Sequence, residues 1–141
     1  MNKYSQRDPR WANKTLGFGP SKIGGYGCFL TCLSMMVGKT PDKVNNMLKA
    51  GGGFYKDLII SDKAAKILGL KYFGKEFDID KEPGWYPSIK EVDMSPRTGK
   101  QQHFVVRIKT LLGRKRIIDP WTGDEQRIDY YPFASYRLFK K

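Results

Sequence analysis

Apolar residues follow two regimes along this chain. From Cys28 to Val37 they are nearly continuous, broken only by Thr31 and Ser34, and Gly38 follows. Apolar on most sides, that stretch predicts a buried helix over 28–37. The run Gly24-Gly25-Tyr26-Gly27 directly ahead of it predicts a flexible loop feeding the helix. Thr40-Pro41 reads as an N-cap followed by proline at the first helical position. Val44, Met47 and Leu48 then share one face before Gly51-Gly52-Gly53 ends the helix. A third helix is expected with Ser61 as its cap, Ala64, Ala65 and Leu68 inward, and Gly69 as its stop.

Beyond that point the periodicity changes. Segments 85–92, 104–108, 116–118 and 135–139 are short, rich in aromatic or β-branched residues, and separated by turn signals. Helices first and antiparallel strands afterwards predict an α+β domain with the helices packed on the sheet. A turn at Leu111-Leu112-Gly113, centred on Leu111, would place position 103 directly opposite position 119, with Cβ atoms about 4.5–5.5 Å apart.

With 141 residues, 40% of them hydrophobic, the chain is long enough for one core and too short for two, so a single domain over 1–141 is expected. The longest apolar run falls well short of the roughly 20 residues that cross a bilayer, and the first ten residues lack the apolar core of a signal peptide. Cys28 and Cys32 stand four apart on one predicted helix, a spacing poor for a disulfide, so free thiols are expected. One histidine beside two such thiols supplies no zinc site, and neither metal nor cofactor is called for. The formal net charge of +12 points to a polyanionic partner: nucleic acid, anionic cell wall or a membrane surface. Basic residues are scattered, with one dense cluster from Lys109 to Arg116, which reads equally as a solvated face.

Four residues carry candidate chemistry. Cys28 stands where the predicted loop enters a helix, where free N–H groups and the positive end of the dipole stabilise a thiolate. A free cysteine there also reads as a small buried hydrophobe, the reading given to Cys32. His103, the one histidine, heads the strand Phe104-Val105-Val106-Arg107-Ile108, beside Gln101 and Gln102, a position suited to proton exchange near neutral pH and also to a structural role. Asp119 precedes the turn Pro120-Trp121-Thr122-Gly123, where its carboxylate could orient the imidazole or cap its own backbone. Gln6 lies in Tyr4-Ser5-Gln6-Arg7-Asp8-Pro9-Arg10-Trp11, where its amide could join the Cys28 N–H as an oxyanion donor.

Taken together, Gln6-Arg7-Asp8-Pro9-Arg10-Trp11, Tyr26-Gly27-Cys28, the Thr40-Pro41 helix, His103-Phe104-Val105-Val106 and Ile118-Asp119-Pro120-Trp121-Thr122-Gly123 resemble, in order and spacing, the double-glycine-leader (bacteriocin-processing) peptidase-like branch of the papain-fold cysteine peptidases. The resemblance runs through nearly the whole chain. It implies a papain-like fold and an amide-bond hydrolase in which Cys28 attacks, His103 shuttles the proton, Asp119 orients it and Gln6 stabilises the oxyanion. Phe29-Leu30 departs from the small residues usual after the nucleophile in that family, which would narrow or reshape the site.

Stand-alone members of this branch include phage and bacterial lysins, and a compact, strongly basic chain looks like that type. The expected substrate is then peptidoglycan peptide, reached after release from the cytoplasm of the cell that made it, or from a virion, by a monomer held on anionic wall polymers. Two other readings stay open: a peptidase that processes a protein or leader peptide, and a non-catalytic basic module that binds nucleic acid or cell wall through charge and stacking side chains. The chain carries no recognisable nucleic-acid recognition helix or RNA-binding signature.

Overall fold

The computed structural model describes all residues from Met1 to Lys141. Its helices lie in the first half: α1 (Ile23–Tyr26), α2 (Cys28–Val37), α3 (Pro41–Ala50) and α4 (Ser61–Leu68), with a short α5 (Ser95–Thr98) further on. Two small strands, β1 (Phe54–Tyr55) and β2 (Leu58–Ile59), form a hairpin between α3 and α4. The remaining strands are β3 (Lys71–Glu76), β4 (Ser88–Asp93), β5 (Gln102–Lys109), β6 (Lys115–Asp119), β7 (Asp124–Arg127) and β8 (Phe133–Lys140). They form one six-stranded antiparallel sheet in the order β3-β8-β4-β5-β6-β7.

The helix boundaries follow the predicted signals closely. Pro41 occupies the first turn of α3, and α2 and α4 end at Gly38 and Gly69, both left-handed with φ of 68° and 73°. Ser61 is the first helical residue of α4 rather than its cap, a position taken by Ile60. The larger difference precedes Cys28. Residues Ile23–Tyr26 form a helical turn instead of a loop, and Gly27 kinks it into α2. A Cβ on Gly27 would lie 2.5 Å from the Ile23 carbonyl oxygen, so the kink requires a residue without a side chain rather than an unusual φ.

The alternation along β5 builds both faces of the sheet. Phe104 and Val106 join Leu30, Leu33, Met36, Ile118 and Phe139 in the main core between helices and sheet, and α2 lies against β5. Val105 and Ile117 join Val92, Met94 and Tyr131 in a smaller cluster on the opposite face. His103 shares the parity of Val105, and Asp119 that of Ile117, so strand geometry alone sends both side chains to one face. Arg107 has the same parity and is buried among Ser88 Oγ, the Pro83 carbonyl, Tyr86 and Glu82, which satisfy its guanidinium.

The β5–β6 register differs from the sequence expectation. Val106 pairs with Ile118 and Arg107 with Ile117, which centres the hairpin on Leu112 instead of Leu111. Asp119 is therefore not directly opposite His103. The shift preserves parity, and the two residues become diagonal neighbours on the same face, a spacing long side chains still bridge.

Candidate functional site

The site forms where the start of α2 meets the start of β5. Cys28 is the first residue of α2 and is half-buried, whereas Cys32, one turn on, is fully buried; both thiols are free. Burial, with the neighbouring Cys28 and Asp119, pushes the Cys32 thiol well above its ordinary range, so Cys32 stays protonated and serves packing.

His103 is 2% exposed. Its Nε2–H donates to Asp119 Oδ1 at 2.7 Å, which leaves Nδ1 as the ring nitrogen free to face the thiol. Burial lowers the imidazole pKa, but the Asp119 hydrogen bond and the adjacent Cys28 together outweigh it and raise it to about 9. Asp119 is equally buried. Desolvation works to raise its pKa, and the His103 and Tyr131 hydrogen bonds overcome this and hold it below the usual carboxylate range. The carboxylate is fully engaged: Oδ1 also accepts the Trp121 backbone N–H at 2.9 Å, and Oδ2 accepts the Tyr131 hydroxyl. Asp119 thus caps its own turn and orients the imidazole at once.

Gln6 is 1% exposed and lines the same cleft. Its backbone N–H donates to the Pro120 carbonyl at 2.7 Å, tying the N-terminal segment to the turn after Asp119. Its Nε2 donates to the Gly24 carbonyl at 3.2 Å, while Oε1 is buried without a partner. One of its two amide hydrogens remains for another acceptor. All four residues marked out in the sequence, Gln6, Cys28, His103 and Asp119, therefore converge.

The cleft above them holds about 550 Å³. Tyr26, Cys28 and Phe29 line it from α1 and α2, His103 and Phe104 from β5, Arg137 from β8, and Asp57 and Leu58 from the β1–β2 hairpin, with Trp121 from the turn after Asp119. The Phe29 ring lies edge-on against Phe104 (centroids 4.7 Å apart) and Phe139 (5.7 Å), so it anchors α2 to the sheet while lining the cleft.

Three residues of the site carry no sequence signal found above. Tyr131 completes the shell of Asp119, and the burial and carboxylate that flank its hydroxyl raise its pKa, so it remains a donor. Lys100 spans the cleft: its Nζ donates to the Gly25 carbonyl at 2.9 Å and lies 4.4 Å from the centre of the Trp121 ring. Arg137 is held by Ser135 Oγ and Glu91 and lines the cleft. No group of three or more metal-binding side chains occurs, and no helix is long and apolar enough to cross a membrane.

A thiol beside an imidazole whose far nitrogen is fixed on a buried carboxylate is chemically able to give up its proton and attack an electrophilic carbon. No protein-family model, curated protein or solved structure matches the chain.

Proposed function

We propose that the chain is a thiol-dependent amide-bond hydrolase with a papain-like arrangement of helix-borne cysteine and strand-borne histidine, acting on the peptides of bacterial cell-wall peptidoglycan. The observation that carries the reading is the buried His103–Asp119 pair, Nε2 to Oδ1 at 2.7 Å, with His103 and Cys28 lining the same cleft. A structural histidine needs no cysteine there and no cleft.

In this mechanism Cys28 Sγ attacks the amide carbonyl carbon and His103 Nδ1 takes the thiol proton. The oxyanion accepts the free Gln6 Nε2–H and the Cys28 backbone N–H, in the manner of an oxyanion hole. The imidazolium, stabilised by Asp119, then protonates the leaving amine as the C–N bond breaks. Water, deprotonated by the same imidazole, attacks the thioester, and the acid leaves with Cys28 regenerated.

The substrate is argued from charge and resemblance. A net charge of +12 attracts the chain to anionic wall polymers, and the sequence resembles lysins. The test is turbidity loss of purified cell walls with mass spectrometry of the released fragments. Wall lysis that is abolished in Cys28→Ala and retained in Cys32→Ala supports the proposal. Lysis that persists in Cys28→Ala overturns the mechanism. Cys28-dependent peptide cleavage without wall fragments replaces the substrate with a protein or leader peptide, and salt-sensitive nucleic-acid binding with an unreactive Cys28 replaces the enzyme with a binding module.

A further inference from the structure

The tip of the β5–β6 hairpin is the most exposed apolar feature of the molecule. Leu111 and Leu112 are 106% and 93% exposed, adjacent in sequence, and packed against nothing. Single exposed leucines are ordinary, but a fully exposed pair at a turn is the opposite of what solubility favours. The turn that presents them is well ordered by its own bonds: Thr110 N–H donates to the Arg114 carbonyl, Gly113 N–H to the Thr110 carbonyl, and Arg114 N–H to Thr110 Oγ1. Gly113, with φ of 79°, supplies the left-handed residue that closes it.

Cations flank the pair on both strands. Lys109 and Arg114 have no acidic partner, whereas Lys115 is paired with Glu82 and Arg116 Nε stands 3.8 Å from Glu125. Segment 109–116 contains no acidic residue. Two apolar side chains at the end of a narrow projection, with positive charge behind them, match one chemical environment: a boundary where hydrocarbon begins just beneath anionic headgroups.

We infer that this hairpin tip docks on an anionic lipid surface, Leu111 and Leu112 entering the acyl boundary while Lys109 and Arg114 remain at the headgroups. Other occupants fit less well. A hydrated wall polymer or nucleic acid would use the cations and leave the leucines without a partner, and leucine offers no stacking face for a base. A second copy of the chain would bring like charges together across a contact far smaller than a stable dimer needs. The inference does not depend on the proposed hydrolysis; it would place such an enzyme at the membrane beneath the wall.

The test is co-sedimentation of the full chain with phosphatidylcholine vesicles, with and without phosphatidylglycerol. Binding is expected only with the anionic lipid. It should weaken roughly tenfold or more in Leu111→Ser/Leu112→Ser, which leaves the charge unchanged, and comparably in Lys109→Glu/Arg114→Glu. Leu111→Trp should show a blue shift of emission on binding beyond that of the wild-type chain with its three tryptophans. All these positions lie on the surface, and circular dichroism verifies that each variant is folded. Undiminished vesicle binding by the leucine variant reduces the effect to charge alone and overturns the inference, as does the absence of binding by the wild-type chain. Cys28→Ala should bind like wild type, so loss of catalysis and loss of docking are separately visible.

Discussion

His103 and Asp119 meet across a diagonal of the β5–β6 ladder, Nε2 to Oδ1 at 2.7 Å, with both residues almost completely buried. The contact holds because Asp119 is fixed from two further directions, by the Trp121 N–H on Oδ1 and the Tyr131 hydroxyl on Oδ2. A carboxylate bound this way cannot swing to a different partner, and the imidazole is left one orientation.

Asp119→Asn tests that constraint. An asparagine offers one acceptor oxygen where three donors now converge on two, so either Tyr131 or the His103–Trp121 pair is left facing an N–H. Thiol-dependent turnover should fall by roughly a hundredfold or more, the scale of a displaced general base. Tyr131→Phe leaves Oδ2 buried with an unmet acceptor and should destabilise the fold by about 1–3 kcal/mol, with a smaller effect on turnover than Asp119→Asn. Chemical denaturation and initial rates on the same variants separate the two. Equal rate losses would mean that Asp119 acts on catalysis only through the fold.

The charge state of His103 also makes stability depend on pH. Its folded pKa, about 9, lies above the ordinary 6.5, so the folded state binds this proton more tightly than the unfolded chain. The resulting stabilisation is complete below about 6.5 and is lost as pH rises through about 9. Asp119 works the other way: its depressed pKa contributes stability above the usual carboxylate range that is lost on acidification below it. Because His103 is the only histidine, its ring signals can be titrated by NMR without assignment. The midpoint should stand near 9 in the native chain and fall in Cys28→Ala, since the thiol is one of the groups that raise it. An unchanged midpoint in Cys28→Ala would separate the thiol from the imidazole and remove the basis of the mechanism.

The kink before Cys28 gives a paired prediction. Gly27→Ala places a methyl 2.5 Å from the Ile23 carbonyl oxygen and 2.8 Å from Ile23 Cγ2, and backbone has to move. It should cost about 1–3 kcal/mol and displace Cys28. Gly25→Ala meets nothing within 4 Å, and in a helical turn alanine is favoured over glycine by about 1 kcal/mol. Thermal melts should move in opposite directions, with Cys28 alkylation slowed in Gly27→Ala alone. A stable, fully reactive Gly27→Ala would show that the kink does not position the thiol.

What could be read from the sequence was set by how strongly each segment is buried. Strand β5 and helix α2 form the core, so their apolar runs announced them. Strands β3 and β7 are the sheet's edges, and their sequences Lys-Tyr-Phe-Gly-Lys-Glu and Asp-Glu-Gln-Arg lack an alternating apolar face because little covers them. The helical turn of α1 was hidden by Gly24 and Gly25, which are poor helix formers; Gly24 lies so close to Ala12 that a Cβ would stand 3.0 Å from it. Cys28, His103 and Asp119 were legible because each stands at the end of an element, where chemistry can be exposed on a rigid base. Tyr131, Lys100 and Arg137 were not, since they join the site through tertiary contacts between segments far apart in the chain. The one-residue displacement of the hairpin centre escaped because turn chemistry at Leu111-Leu112-Gly113 fits either register, and the ladder favours the one that puts Gly113 at positive φ.

Phe29 directly follows the proposed nucleophile, and its packing makes its role testable. The ring is held edge-on between Phe104 and Phe139 while still lining the cleft, so it serves the core and the site together. Phe29→Ala removes both aromatic contacts. For a half-buried ring the loss should be about 2–3 kcal/mol, below the 3–5 typical of full burial. It should also enlarge the cleft beside Cys28, so that substrates with a bulkier group next to the scissile amide gain in kcat/KM relative to small ones. Phe29→Leu retains much of the volume and should recover most of the stability with little change in preference. If Phe29→Ala lowered kcat/KM for all substrates by the same factor, the ring would be an anchor for α2 and not a wall of the binding site.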